Sequence, residues 1–264
     1  MQDALEVALR KGCKSAISQL LEYSIDLNII LSSDAKTQTP LEWASEHEDL
    51  NLVELFLSKG AEADFTSATF TRNPALIKAV EKANERLVKI LVPKTNRVLS
   101  TRALCLAVGR KNIAIVNILL EHGVCCDFVD GDQQPSKDAS DWRTEESAEA
   151  RAFTPPLVRA VIMGDIELTR VLLVNGADVN VGYHDIGRDH GRPLKTDIPC
   201  GRVIQVAMQL KFHEIVDLLL EFGADINLPQ PVWAYHQCKS TPRNVYLKTT
   251  SGLRAASASL EQRK

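Results

Sequence analysis

Apolar and polar residues alternate along this chain in a repeating two-helix rhythm, clearest between Pro156 and Asn180, PLVRAVIMGDIELTRVLLVNGADVN. A proline-started apolar turn is followed four residues on by Ala160, and Gly164 closes this first segment. A second apolar run extends from Leu168 to Val174 and ends in Gly176-Ala177-Asp178-Val179-Asn180. The pattern predicts two short helices joined by a tight turn, because apolar stripes at helical spacing are interrupted by helix-stopping glycine.

Sliding this frame along the chain finds five further matches without gaps. Ala4 to Asn28 carries Leu5, Ala8, Gly12, Ile17, Leu20, Leu21, Asp26 and Asn28 at the same positions. Pro40 to Asp64 follows, with Thr39 before Pro40 as a helix-start signal: a threonine oxygen accepts a free backbone N–H, and proline sits where its missing donor does no harm. Ala75 to about Val92 keeps Leu76, Ala79, Leu87, Val88, Ile90 and Leu91, and Pro93 should stop its second helix. Ala103 to Asp127, Pro156 to Asn180 and Val203 to Asn227 complete six registers.

This stretch and its copies resemble the ankyrin repeat, a helix–turn–helix unit with a period of ~33 residues. The resemblance implies an all-α solenoid in which each unit leans on its neighbours, since one repeat cannot bury its own apolar face. The whole chain, 1–264, then reads as a single ankyrin-repeat domain. As a family, ankyrin repeats bind other proteins and have no reaction of their own, so function must be sought in this chain's departures from the pattern.

Spacing supplies the first departure. The copies start at 4, 40, 75, 103, 156 and 203, and the last two gaps exceed the period by about 20 and 14 residues. Insertions therefore fall at 128–154 and 181–202, where the family's projecting finger loops lie beside a concave groove. The first holds Trp142 and Phe153 in an acidic stretch: Asp127 to Ala150 has eight acids and two bases. The second has four bases and three acids in 182–202, with Tyr183, His184 and His190. Its charge could pair with the acidic loop.

In the family, the groove positions lie six and seven residues after the frame residue. Here they are Arg10 and Lys11, Glu46 and His47, Glu81 and Lys82, Gly109 and Arg110, Ile162 and Met163, then Gln209 and Leu210. Charge gives way to Ile162, Met163 and Leu210 in the repeats beside the insertions. An apolar patch needs a cover, so these residues should meet the chain's own loops, a protein partner or a small molecule.

A second reading makes the cover an enzyme pocket. His184-Asp185 and Asp189-His190 could supply acid–base pairs, because imidazole titrates near neutrality beside a carboxylate. Arg188 and Arg192 could then anchor a carboxylate or oxyanion, on a small organic molecule and with no cofactor. The same four acid–base residues lack a thiolate or His-x-x-His spacing, and His122, Cys125 and Cys126 fall on a repeat turn, so no metal site is assigned. No nucleophile elbow, phosphate loop or dinucleotide fingerprint occurs.

Beyond Asn227 the chain turns basic, with six bases and one acid from Pro231 onward. Val245, Tyr246, Thr249, Leu253 and Ala256 recur at helical spacing, which predicts a capping helix within 228–256. This tail is similar to that of fungal ankyrin-repeat proteins over about 25 residues. A formal net charge of −3 argues against a nucleic-acid partner. Six cysteines in so long a chain, with no bilayer-length apolar run, point to a reduced protein of the cytoplasm or nucleus, not bound to membrane.

Overall fold

The computed structural model describes residues 2–23, 25–33, 36–65, 74–127, 154–183 and 201–228. Twelve α-helices among them form six helix–turn–helix units. These are α1 (Gln2–Arg10) with α2 (Lys14–Leu20), α3 (Pro40–Glu46) with α4 (Leu50–Ser58), and α5 (Ala75–Glu81) with α6 (Glu85–Leu91). The later units pair α7 (Arg97–Gly109) with α8 (Ile113–Glu121), α9 (Pro156–Ile162) with α10 (Ile166–Val174), and α11 (Val203–Gln209) with α12 (His213–Glu221). Two short antiparallel strand pairs complete the described fold, β1 (Leu31–Ser33) with β2 (Lys36–Gln38) and β3 (Gly182–Tyr183) with β4 (Gly201–Arg202). The fold is thus all-α and of the solenoid class, as the repeat pattern predicts.

Each unit is built by the same local chemistry. Eight residues after its frame position the chain enters the left-handed region in all six copies: Gly12, Glu48, Ala83, Lys111, Gly164 and Lys211 have φ between +54° and +65°. That one residue reverses the chain, and the next residue caps the second helix. Asp49, Asn84 and Asp165 accept the backbone N–H of Leu52, Leu87 and Leu168 at 3.3, 3.1 and 3.1 Å. Cys13 and Phe212 hold the equivalent position in repeats one and six and make no side-chain cap. Thr39 does start α3 as expected, with a reciprocal pair in which Glu42 N–H donates to Thr39 Oγ1 and Thr39 N–H to Glu42 Oε2.

Repeat four departs from the sequence reading. Its first helix begins at Arg97, six residues before Ala103, and runs for 13 residues. Asn96 explains the early start: its Oδ1 accepts the Leu99 N–H at 3.0 Å while its Nδ2 donates to Asp64 at 2.9 Å. Only a 3₁₀ turn, Val92–Lys94, separates this helix from α6, which ends at Leu91 just before Pro93.

The chain divides into two compact units, one of Met1–Ala107 with Ala114–Val124 and one of Val108–Ile113 with Cys125–Lys264. In the first, α3 packs on α5 and α4 on α6 around fully buried Leu41, Phe56, Leu76, Leu87 and Leu91. In the second, α9 packs on α11 and α10 on α12 around Leu157, Leu168, Leu172 and Leu219. The C-terminal helix expected within 228–256 lies outside the described residues beyond Leu228.

Gly164 is held in place twice over. Its φ is +65°, and a Cβ there would stand 2.9 Å from the Phe212 ring of the next repeat. Gly164→Ala should therefore lower stability by about 1–2 kcal/mol, the cost of a side chain in left-handed backbone. Ala83→Gly, at the equivalent turn of repeat three, should be neutral or stabilising by up to about 1 kcal/mol, the relief being offset by glycine's larger unfolded-state entropy. Urea midpoints of the two variants check this, and equal shifts in the same direction would contradict it.

Candidate binding face

The groove positions named from sequence occupy one structural place. The residue six after the frame, Arg10, Glu46, Glu81, Gly109, Ile162 or Gln209, is the last residue of the inner helix in every repeat. Ile162, Met163, Gln209 and Leu210 are all half-buried, and the inner helices that carry them, α9 and α11, pack side by side. The Gln209 Nε2 is covered from solvent and has no hydrogen-bond partner.

The inner helices also contribute the residue three after the frame, which the sequence reading passed over. Trp43 stacks on His47 with ring centroids 3.8 Å apart at 21°, and His47 Nδ1 lies 2.8 Å from the Trp43 carbonyl. A carbonyl only accepts, so Nδ1 carries the proton. Lys78 spans two repeats, donating to Gln38 Oε1 at 2.9 Å and to Glu46 Oε2 at 3.0 Å. Arg159 lies over Gly109, where a Cβ would meet its guanidinium Nε. The i, i+4 spacing of Trp43 and His47 was the signal available for the first pair.

Both insertions start from the Asn or Asp that ends a repeat. Asp127, before the first, accepts the Asp178 N–H at 2.9 Å; Asn180, before the second, accepts the Asp225 N–H at 2.8 Å. Asn28 does the same for Glu62 N–H at 2.9 Å and also points its Nδ2 at the Gly60 carbonyl, 3.4 Å away. The two ends of the second insertion are pinned together. Gly182 pairs with Arg202, Tyr183 with Gly201, Val203 N–H donates to Val181, and the Arg202 guanidinium donates to the Asn180 carbonyl at 2.6 Å.

Asp127 differs from Asn28 and Asn180 in carrying a carboxylate. Its second oxygen is buried without a partner. Burial raises its pKa, the Asp178 N–H opposes the rise, and the Asp178 charge adds to it. Beside it, the Cys126 thiol is buried and directed at the Leu172 and Asn175 carbonyls, and burial, followed by the charges of Asp127 and Cys125, pushes its pKa to about 12. His122 Nδ1 meets the Ile118 carbonyl at 2.8 Å, and no cluster that could hold a metal occurs among the described residues.

Trp142, Phe153, His184, Asp185, Arg188, Asp189, His190 and Arg192 lie outside the described residues, as does the side chain of Tyr183. No described helix is long and apolar enough to cross a membrane.

A two-helix unit is repeated six times, reversed at one left-handed residue in each copy and closed in the last two by a Gly-Ala-Asp turn. Residues 50–132 match the family model for ankyrin repeats in three copies, and the fold is that of an ankyrin-repeat domain. Among solved structures it is similar to the ankyrin repeat domain of Bcl-3, a member of the IkappaB protein family, at TM-score 0.59 and 21% identity, covering 86% of this chain and 89% of that one. EF0377, an ankyrin repeat protein, aligns at TM-score 0.55 and 18% identity, over 83% of this chain and 96% of the other. A curated relative, the non-secreted LysM effector LysM17 of Penicillium expansum, is 37% identical over 68 residues. That match covers 22% of this chain and 9% of the relative's length. Ankyrin repeats generally mediate protein–protein interaction, and proteins built of them are typically non-enzymatic scaffolds.

The strained carboxylate yields a pH signature. Because the folded pKa of Asp127 is raised, its stabilising influence is full below the unfolded carboxyl pKa and is lost as pH rises through the folded value. Asp127→Asn removes the charge and gives the Gly176 carbonyl a donor, as Asn28 does for Gly60. It should raise the melting midpoint at pH 7, by about 1 kcal/mol of stability, with the gain shrinking as pH falls toward 4 (~ the carboxyl range). A gain that is constant across this range would remove the ionised carboxylate as its cause.

Proposed function

We propose that the protein is a binding module that engages a protein partner through the concave face and finger loops of repeats four to six. One observation carries this reading: Ile162, Met163 and Leu210 remain half-buried at inner-helix ends where repeats one to three present charged residues or histidine. An apolar centre with a polar surround is the composition of a protein-binding hot spot, and methionine supplies adaptable contact there.

The pinned root of the second insertion supports the finger part of the reading, since it fixes where the loop leaves the repeat. Trp142, Phe153, Tyr183, Arg188 and Arg192 belong to the same proposal as finger contacts. The acid–base reading of His184, Asp185, Asp189 and His190 gains no support from any described residue, and the binding reading stands without it.

A photo-reactive residue at Met163 in the full chain should cross-link to a discrete protein in extracts of the source cells. Ile162→Glu with Met163→Glu should abolish that capture, with affinity lost by roughly a hundredfold or more, while Val174→Glu, on an outer helix, should leave it intact. Capture that survives the double variant would defeat the proposed face.

A further inference from the structure

The apolar centre formed by Ile162, Met163 and Leu210 sits among charges of one sign. Positions three, six, seven and eight after the frame carry the groove side of each inner helix and its turn. From the end of repeat four to repeat six these positions hold Arg110, Lys111, Arg159 and Lys211 and no acid. Asp165, next along the turn, caps α10 and pairs with Lys111 at 3.5 Å. Arg110 and Lys211 are exposed and Arg159 is half-buried. In repeats two and three the same positions mix signs, and Glu46 takes up Lys78 at 3.0 Å. The basic character is confined to the groove side, since α12 on the outside exposes Glu214, Asp217 and Glu221.

Gly109 sets Arg159 in this array. Where the other repeats end their inner helix in Arg10, Glu46, Glu81, Ile162 or Gln209, repeat four ends in a residue with no side chain. A Cβ there would collide with the Arg159 guanidinium. The bare end of α7 thus admits a cation, which the negative end of a helix favours. Bases around an apolar centre fit a segment with apolar residues in its middle and carboxylates on both sides. Neighbouring inner helices pack about 8–10 Å apart, so Arg110 and Lys211 stand ~20 Å apart across Met163. About six extended residues cover that span.

We propose that this face takes an acidic peptide segment of its protein partner. Apolar side chains of the segment rest on Ile162, Met163 and Leu210, with Asp or Glu toward Arg110 and Arg159 at one end and toward Lys211 at the other. The inference rests on the partner face proposed above and adds the chemistry of what fills it. A nucleic-acid strand would answer the bases, but it needs aromatic platforms for stacking, and these positions in repeats four to six hold no aromatic residue.

A displayed library of random short peptides, selected on the full chain and counter-selected on Ile162→Glu with Met163→Glu, tests it. Sequences that require Ile162 and Met163 should carry Asp or Glu on both sides of apolar residues. By fluorescence anisotropy, Arg110→Glu with Lys211→Glu should weaken a selected peptide roughly tenfold or more, and added sodium chloride should weaken it too. The charge-matched change Arg86→Glu with Arg170→Glu, at exposed positions of outer helices, should leave affinity unaltered. All four altered bases are exposed, so circular dichroism should not change. Face-dependent sequences that are neutral or basic, or a selected peptide indifferent to the rim variant, overturn the acidic class while the face itself stands. Failure to recover any face-dependent sequence overturns the face and this inference with it. A single-stranded oligothymidine that outcompetes the selected peptide, and loses its grip in the same rim variant, overturns the inference in favour of nucleic acid.

Discussion

The structure depends on one constraint: an inner helix of about two turns cannot bury its leucines by itself. Leu76, for example, is fully buried only because α5 lies against α3 and carries α6 behind it. Helices this short are marginal alone, and most of their stability must come from tertiary burial of an apolar face. The repeat therefore keeps leucine or isoleucine one residue after the frame and alanine four after it in all six copies, while its groove-facing positions are free to vary. Freedom at those positions is what lets Glu46 and His47 become Ile162 and Met163 without disturbing the stack.

The same logic assigns a role to the polar ladder along the turns. Lys14 pairs with Asp49, Asn84 with Glu48 and Lys111 with Asp165, each reaching from one repeat's left-handed turn to that of its neighbour. These pairs are partly exposed and each contributes little by itself. Their value is register: every one links residues eight to ten after the frame, so a slip of one helix turn would break all of them. On the finger side Asn28, Asp127 and Asn180 perform the equivalent task through backbone donors. Two of these three residues also precede the long insertions, which ties the root of each insertion to the next repeat.

Much of this was legible in the sequence because the repeat compares the chain with itself. Six registers located the inner and outer helices, the cap at Thr39 and the stop at Pro93. The start of α7 was not legible, since Asn96 reads as loop until Asp64 is known to hold its amide. The left-handed turns were visible only where glycine marks them; Glu48, Ala83, Lys111 and Lys211 adopt the same φ through the turn's closure rather than by preference. The helix-end positions do not mark Trp43, whose side chain sits one turn earlier and stacks onto the same end. Most of the finger residues proposed from composition carry no periodicity at all, and periodicity is the signal that made the helices readable.

Repeats one and six share a further departure that bears on how the fold tolerates change. Both lack the capping carboxylate or amide, with Cys13 and Phe212 in its place. Losing such a cap costs about 1 kcal/mol, so something should offset it. In repeat six the offset is visible: the Phe212 ring lies where a side chain on Gly164 would collide, so apolar contact with repeat five replaces the cap's hydrogen bond. In repeat one Cys13 is exposed, and its thiol makes only a weak contact with the Lys11 carbonyl at 3.8 Å. Repeat one therefore holds α2 by burial of Ile17 and Leu21 rather than by a cap.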